Sequence, residues 1–315
     1  MRTIWTVGVG MLVAALFASQ AGAQQCTVKP ASIPLGQTVR LHCDVEVATA
    51  KLDFPARSGA AGQAAKAPGA AASESSEAKS RTVRLFKQAS GGWEGLMPVA
   101  VKDAPGAYDV KFLAADGGEA ASARVTIQKT IFPKQNVTLA PAIEALHSTS
   151  DEMQTLTTFR DAVSDVKYWH EPFVAPLPGC VISPFGVARL HNGKPTGEFH
   201  AGIDQRGALG TPIHAIAGGV VKIVQPFNVL GGTVAIDHGQ GLETMYLHMS
   251  KLDVKVGDHV ARGDTIGYVG ATGRANGPHL HWVVYVNGVP QNPEQWVAGL
   301  KPCIAAKSTS AAKKK

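Results

Sequence analysis

"GPHLHW", Gly277 to Trp282, sets two histidines one residue apart directly after a Gly-Pro turn signal. Residues i and i+2 of a β-strand face the same side of a sheet. A strand here projects His279 and His281 together and turns Leu280 and Trp282 the other way, toward a core. Two adjacent imidazoles repel once protonated, so the pair suits neutral rings serving a metal ion or a reaction. Surface histidines in a hairpin would leave the same pattern, so the surrounding sequence has to decide.

That surrounding sequence is rich in short strands. "AGGVVKIVQ", "GGTVAIDHGQG", "LETMYLHMS", "GDHVARGDTIGYVG" and "HLHWVVYVNGVPQNP" follow one another, with glycines at nearly every turn. Asn287-Gly288 is a two-residue hairpin signal. Residues 176–303 are therefore expected to form an all-β domain. Upstream, "PLGQTVRLHCDVEV", "RTVRLFKQ" and "GAYDVKFLAADGGEAASARVTIQK" alternate apolar and polar positions between turns. This pattern predicts an immunoglobulin-like β-sandwich over residues 24–130. It is interrupted by an Ala/Ser-rich insertion, 56–80, which lacks large apolar side chains and is expected to be disordered.

Residues 131–175 read as a linker, first extended, then helical. Met153, Leu156, Phe159, Val163 and Val166 recur at helical spacing, with Asp151 and Glu152 in the first turn. They predict an amphipathic helix from about Ser150 to Trp169, whose apolar stripe is read as packing. The sequon Asn136-Val137-Thr138 is read as coincidence. A composition of 45% apolar and 17% charged residues, with 34 Gly and 19 Pro, agrees with a mainly β chain.

The N-terminus has the form of a signal peptide, residues 1–23. Arg2 gives the basic region, Ile4 to Phe17 the apolar region, and Ala21-Gly22-Ala23 the cleavage site. The apolar run is shorter than the roughly 18 to 20 residues of a membrane span, and no second run is long enough. "AQQC" lacks the Leu-rich box of a lipoprotein. The chain is expected to be exported, to the periplasm or beyond. Cys26, Cys43, Cys180 and Cys303 all lie in the exported part, where an even count suggests two disulfides; the sequence allows three connectivities, of which neighbourhood favours Cys26–Cys43 with Cys180–Cys303. The net charge is +6, partly concentrated in a basic flexible tail, 304–315. A mild positive excess fits an anionic cell envelope. Without a basic-aromatic platform it does not point to nucleic acid.

Most of the eleven histidines fall where little is expected. His42, His147, His170 and His191 lie in loops or the first domain, and His214 and His259 read as surface residues. His238, before a turn, reads as a hydrogen-bond partner of that turn. His200, His248, His279 and His281 remain. His200 opens "HAGID", four residues before Asp204, and Gly202 between them lets the backbone bend. Imidazole and carboxylate together suit zinc, and three protein ligands with one open position make a catalytic site. His200, Asp204 and one member of the HxH pair supply three. The spare histidine and His248 are then candidates for proton transfer or oxyanion stabilisation.

"FHAGIDQRGALGTPIHAIAGGVV", "DHGQGLETMYLHMSKLDVKVGDHVARGDTIGYVGATG" and "GPHLHWVV" together resemble the lysostaphin-type, or LytM-like, zinc metallopeptidases over about residues 180–295. The resemblance implies a compact β fold with an open groove and zinc held by His200, Asp204 and His281, with His248 and His279 as catalytic non-ligands. It further implies hydrolysis of peptidoglycan cross-link peptides. The Gram-negative look of the leader and sandwich favours the D-alanyl to diaminopimelate bond. Arg274-Ala275-Asn276 departs from the small hydroxylated residues common in relatives, which puts groove contacts in question. No candidate ligand precedes residue 200, so the N-terminal half is assigned positioning or regulation without catalysis, and the sequence leaves any regulatory protein partner unspecified. The contrasting readings are a non-catalytic wall-binding module on the same fold and a closed structural metal site.

Overall fold

The computed structural model describes residues 25–55 and 80–303. The expected leader (1–23), the basic tail (304–315) and residues 56–79 of the expected insertion lie outside the described residues. Ser80, placed in that insertion by the sequence, instead opens the strand Ser80–Arg84, paired residue for residue with Thr49–Asp53. Inward-facing Arg81 and Val83 supply the alternation that the residues before them lack.

Period-two alternation builds the N-terminal module. One sheet orders the strands Cys26–Lys29, Thr38–Cys43, Trp93–Pro98 and Phe86–Lys87. The other orders Ser32–Pro34, Glu119–Gln128, Gly106–Leu113, Thr49–Asp53 and Ser80–Arg84. Their inner faces enclose Val39, Leu41, Leu52, Phe112 and Val125. This ordering is that of an immunoglobulin-type sandwich, and Tyr108 Oη donates to Ala104 O (2.8 Å), as in a tyrosine corner. The disulfide departs from the antibody arrangement. Cys26–Cys43 joins directly opposed residues of neighbouring strands and does not cross between the sheets.

In the C-terminal part, an eight-stranded sheet runs Val181–Ser183, Ile203–Arg206, His279–Val286, Leu242–Met249, Gly231–Gly239, Gly219–Phe227 and His259–Val260, with Val289–Gln291 alongside His279–Val286. Gly231–Gly239 and Leu242–Met249 are buried at every position, because both faces of the sheet are covered. One face packs Leu280, Trp282, Val284 and Ile236 with Trp169, Phe173 and Trp296. Opposite it, Met245, Leu247, Val283 and Tyr285 meet Phe159 of a helix, Ser150–Asp161. Cys180–Cys303 ties the first strand of this part to its last described residue.

The linker departs from its reading in two ways. Lys134–Val137 is a strand, paired in parallel with Ala188–His191, so the linker is built into the C-terminal part. The helix starts at a Thr149–Glu152 capping box, as its sequence suggests, but stops at Asp161, with Ala162 already extended. Beyond it the backbone bonds elsewhere. Ser164 O accepts from Gln240 N, and Tyr168 N donates to His238 O. Gly239 permits this close approach, since a Cβ there would meet Val166 O at 1.7 Å. Tertiary pairing overrides the helical period beyond Asp161 and leaves Val166 exposed, and within the helix Met153 also faces outward.

The two modules meet through buried polar groups. Thr38 N donates to Gln295 Oε1 and Gln295 Nε2 donates to Thr38 O, both at 2.7 Å. Thr38 Oγ1 donates to Gln291 Oε1 (2.9 Å), and Asn287 Nδ2 to Leu96 O (2.7 Å). Arg40 lies over the rings of Trp169 and Trp296.

Candidate metal centre

Strand register assembles the centre. Ile203–Arg206 and His279–Val286 are antiparallel, with Asp204 opposite His281 and Arg206 opposite His279. The same ladder turns Leu280 and Trp282 into the core, where the Trp282 indole N–H donates to Gln205 Oε1 (2.8 Å). Gly202 acts differently from its sequence reading. It needs no left-handed bend; a Cβ there would meet Trp282 O at 2.0 Å, so glycine lets the His200–Asp204 segment lie against the neighbouring strand.

His200 Nε2, Asp204 Oδ1 and His281 Nδ1 lie within 4.8 Å of one another. Asp204 Oδ1 is 3.0 Å from His200 Nε2 and 2.7 Å from His281 Nδ1, and the two ring nitrogens are 2.8 Å apart. His200 Nδ1 faces Pro184 O at 2.9 Å, an acceptor only, so Nδ1 carries a proton and Nε2 is the nitrogen turned inward. Two imidazole nitrogens and a carboxylate oxygen converging at these distances form a donor set for one cation, and an N,N,O set suits zinc and similar divalent ions.

The electrostatics agree. Burial alone would raise the Asp204 carboxyl, but hydrogen bonds and charge from His200 and His281 outweigh it and hold it well below the usual carboxylate range. Burial lowers His281 to about 4 against the opposing pull of Asp204. It lowers His248 to about 3, with His281 and His279 adding to the effect. Both rings are neutral at pH 7, the form that binds a metal or accepts a proton.

His248 and His279 stand beside the three. His248, one residue before the end of its strand, is in the left-handed region (φ 60°), and its Nδ1 donates to Thr272 O (2.8 Å). Its ring centroid is 5.0 Å from that of His279 and 6.1 Å from that of His281. His279 Nδ1 donates to Gly277 O (2.9 Å), which leaves Nε2 directed inward, 3.8 Å from Asp204 Oδ1. The five residues singled out in the sequence thus gather at one place.

Sequence reasoning missed Arg189, whose Nη2 donates to Asp204 Oδ2 (2.9 Å) and steers Oδ1 toward the histidines. Its only sequence signal is position, eleven residues before His200. His238 was misread. Instead of holding a turn it is fully buried between Gly218 O (2.7 Å) and Thr244 Oγ1 (2.8 Å). Arg274 serves the linker: its guanidinium donates to Leu146 O, while Asn192 bonds Leu139 and Glu144. Residues 139–146 therefore connect the hairpin at Asn192 to the loop that leads into His279.

Residues 198–293 match the model of Peptidase family M23. Over 113 residues the chain is 42% identical to the DD-carboxypeptidase/endopeptidase Mpg of Neisseria meningitidis, covering 36% of this chain and 26% of that protein. It is 41% identical over 112 residues to the peptidoglycan DD-endopeptidase ShyA of Vibrio cholerae, again 36% of this chain and 26% of that one. The chain thus spans about a quarter of the length of the curated relatives it matches. A putative peptidase M23 from Pseudomonas aeruginosa shares the fold more extensively: TM-score 0.57 at 25% identity, covering 85% of this chain and 95% of that one.

Proposed function

We propose that the chain is a zinc-dependent endopeptidase that hydrolyses peptide cross-links of peptidoglycan, with the D-alanyl to diaminopimelate bond as its target. The observation that carries this reading is the convergence of His200 Nε2, Asp204 Oδ1 and His281 Nδ1 beside two further neutral imidazoles. Relatives named as DD-endopeptidases support the substrate class.

His200, Asp204 and His281 would hold zinc, which when bound polarises a carbonyl and makes water acidic near pH 7. His279, its Nδ1 proton engaged by Gly277 O, offers Nε2 to take the proton of the attacking water and then pass it to the leaving amine. The oxyanion role expected of His248 needs a proton on Nε2. Its single proton is held at Nδ1 by Thr272 O, and burial opposes a second. As a neutral ring, His248 accepts a hydrogen bond, which suits orienting the water or a substrate N–H.

The leader read in the sequence and the two disulfides support work outside the cytoplasm, in the periplasm. Among the described residues no helix is long and apolar enough to cross a membrane. Digestion of purified cell walls, with mass spectrometry of the products, tests the proposal. New termini at D-alanine and diaminopimelate, lost with chelator and restored by zinc, are expected; intact cross-links with zinc-loaded protein would overturn it.

A further inference from the structure

The sheet face that bears the metal centre carries a second carboxyl, far from it. The strand Leu242–Met249 runs from Glu243, near one end, to His248 at the other, a span of about 17 Å at strand rise. Met245 and Leu247 pack on this face under the helix Ser150–Asp161. At its Glu243 end, a cavity of about 630 Å³ opens between the sheet and the C-terminal half of the helix with the residues that follow. Phe159, Val163 and Ile223 give it apolar walls, and Lys222, Asp237 and Glu243 are its ionisable groups, among several neutral polar side chains. The volume is that of a small-molecule site.

Glu243 sets this cavity apart. It is 1% exposed, and neither carboxyl oxygen has a hydrogen-bond partner among the described residues. Asp237, in contrast, accepts from Ser164 Oγ and Gly239 N. Burial first, then the charge of Asp237, pushes Glu243 up to about 9, with Arg160 opposing and Asp161 adding. Buried polar groups are ordinarily paired, and one left without a partner is costly.

We propose that this cavity binds a small amphiphile with an apolar body and one primary ammonium group, the ammonium pairing with Glu243. A cation satisfies the bare oxygens, and Glu243, Asp237 and Asp161 together outnumber Lys222 and Arg160, the cationic side chains nearby. An anionic head would meet those carboxylates, and a purely apolar ligand would leave Glu243 unpaired. No atom of the metal centre lines the cavity, so the site does not depend on the peptidase reading.

The test uses n-octylamine as probe, with n-octanol and octanoate for comparison, titrated into the full chain by calorimetry and followed by NMR. Saturable one-to-one binding of octylamine is expected, with shifts at Phe159, Val163 and Ile223, and at least ten-fold weaker binding of octanol and octanoate. Glu243→Gln should weaken octylamine at least ten-fold. Val163→Phe, which narrows the cavity and keeps the carboxyl, should weaken it as well and decides the matter if Glu243→Gln does not fold. Absent or non-saturable binding, equal binding of octanol, or octylamine affinity unchanged in the folded variants would overturn the proposal.

Discussion

His281 Nδ1 lies 2.7 Å from Asp204 Oδ1, and the two residues are direct partners in an antiparallel ladder. Two of the three proposed ligands therefore sit on paired strands, and His200 joins them from the segment between Phe199 and Ile203. His281→Ala leaves only His200 and Asp204, too few to hold zinc tightly, and is expected to abolish both metal retention and cell-wall cleavage. Metal content by plasma mass spectrometry, beside the cleavage rate of the folded variant, checks both.

His279→Ala is expected to divide these two properties. The zinc should stay, while turnover falls by about 10²- to 10⁴-fold, the scale for loss of a positioned proton-transfer group. Equal zinc loss in His279→Ala and His281→Ala would make His279 a ligand.

Arg189→Ala removes the partner of Asp204 Oδ2 and lets the carboxylate rotate. Metal affinity is expected to fall roughly 10- to 100-fold, as for other groups that orient a ligand. Competition with a fluorescent zinc chelator measures it. Arg189→Lys should restore only part of the loss, because a lysine offers one point charge where the guanidinium offers a planar fork.

Two buried groups give stability opposite pH dependences. His238 is lowered by burial from 6.5 to about 4. Between those values the unfolded chain binds more protons, so stability is lost as pH falls from 6.5 toward 4. Glu243 is raised by burial from 4.5 to about 9, so the native state binds more protons and stability is lost as pH rises through that window. Each full proton of difference is worth about 1.4 kcal/mol per pH unit. Urea unfolding from pH 6.5 to 9 should show a decline that is markedly flatter in Glu243→Gln.

Replacing Cys180 and Cys303 together by serine opens a bridge between residues 123 apart. A loss of roughly 4 to 5 kcal/mol is expected in the chain-entropy model. The bridge across 17 residues, Cys26–Cys43, should be worth less, about 3 kcal/mol. Paired denaturation curves of the two double variants rank them.

The parts of the site legible in the sequence were those governed by local geometry. In "GPHLHW" the two-residue period fixes which side chains share a face, and Leu280 and Trp282 are buried as that period requires. Resemblance was still needed to separate His279 from His281, because the period treats them alike. Arg189 escaped notice because its role rests on a contact between the Ala188–His191 strand and Asp204, which no spacing encodes. The helix was overextended because Val163 and Val166 keep the period, while backbone pairing with residues 238–240 decides the conformation. His238 was misread for a related reason. Its neighbours in the chain form a turn, but its ring is satisfied by Gly218 and Thr244 from flanking strands. Glu243 gave no signal at all, since an isolated acidic residue in a strand usually faces water.

The paired bonds between Thr38 and Gln295 have a mechanical consequence. The Thr38 N–H and C=O are both satisfied by one glutamine amide, and Gln291 holds the Thr38 hydroxyl. Swinging the sandwich away would strip three bonds from a residue that is 1% exposed and would bare Leu96, which packs into the opposite core. Opening that seam is accordingly costly. Any widening at the metal centre is therefore expected in the loops and linker around it.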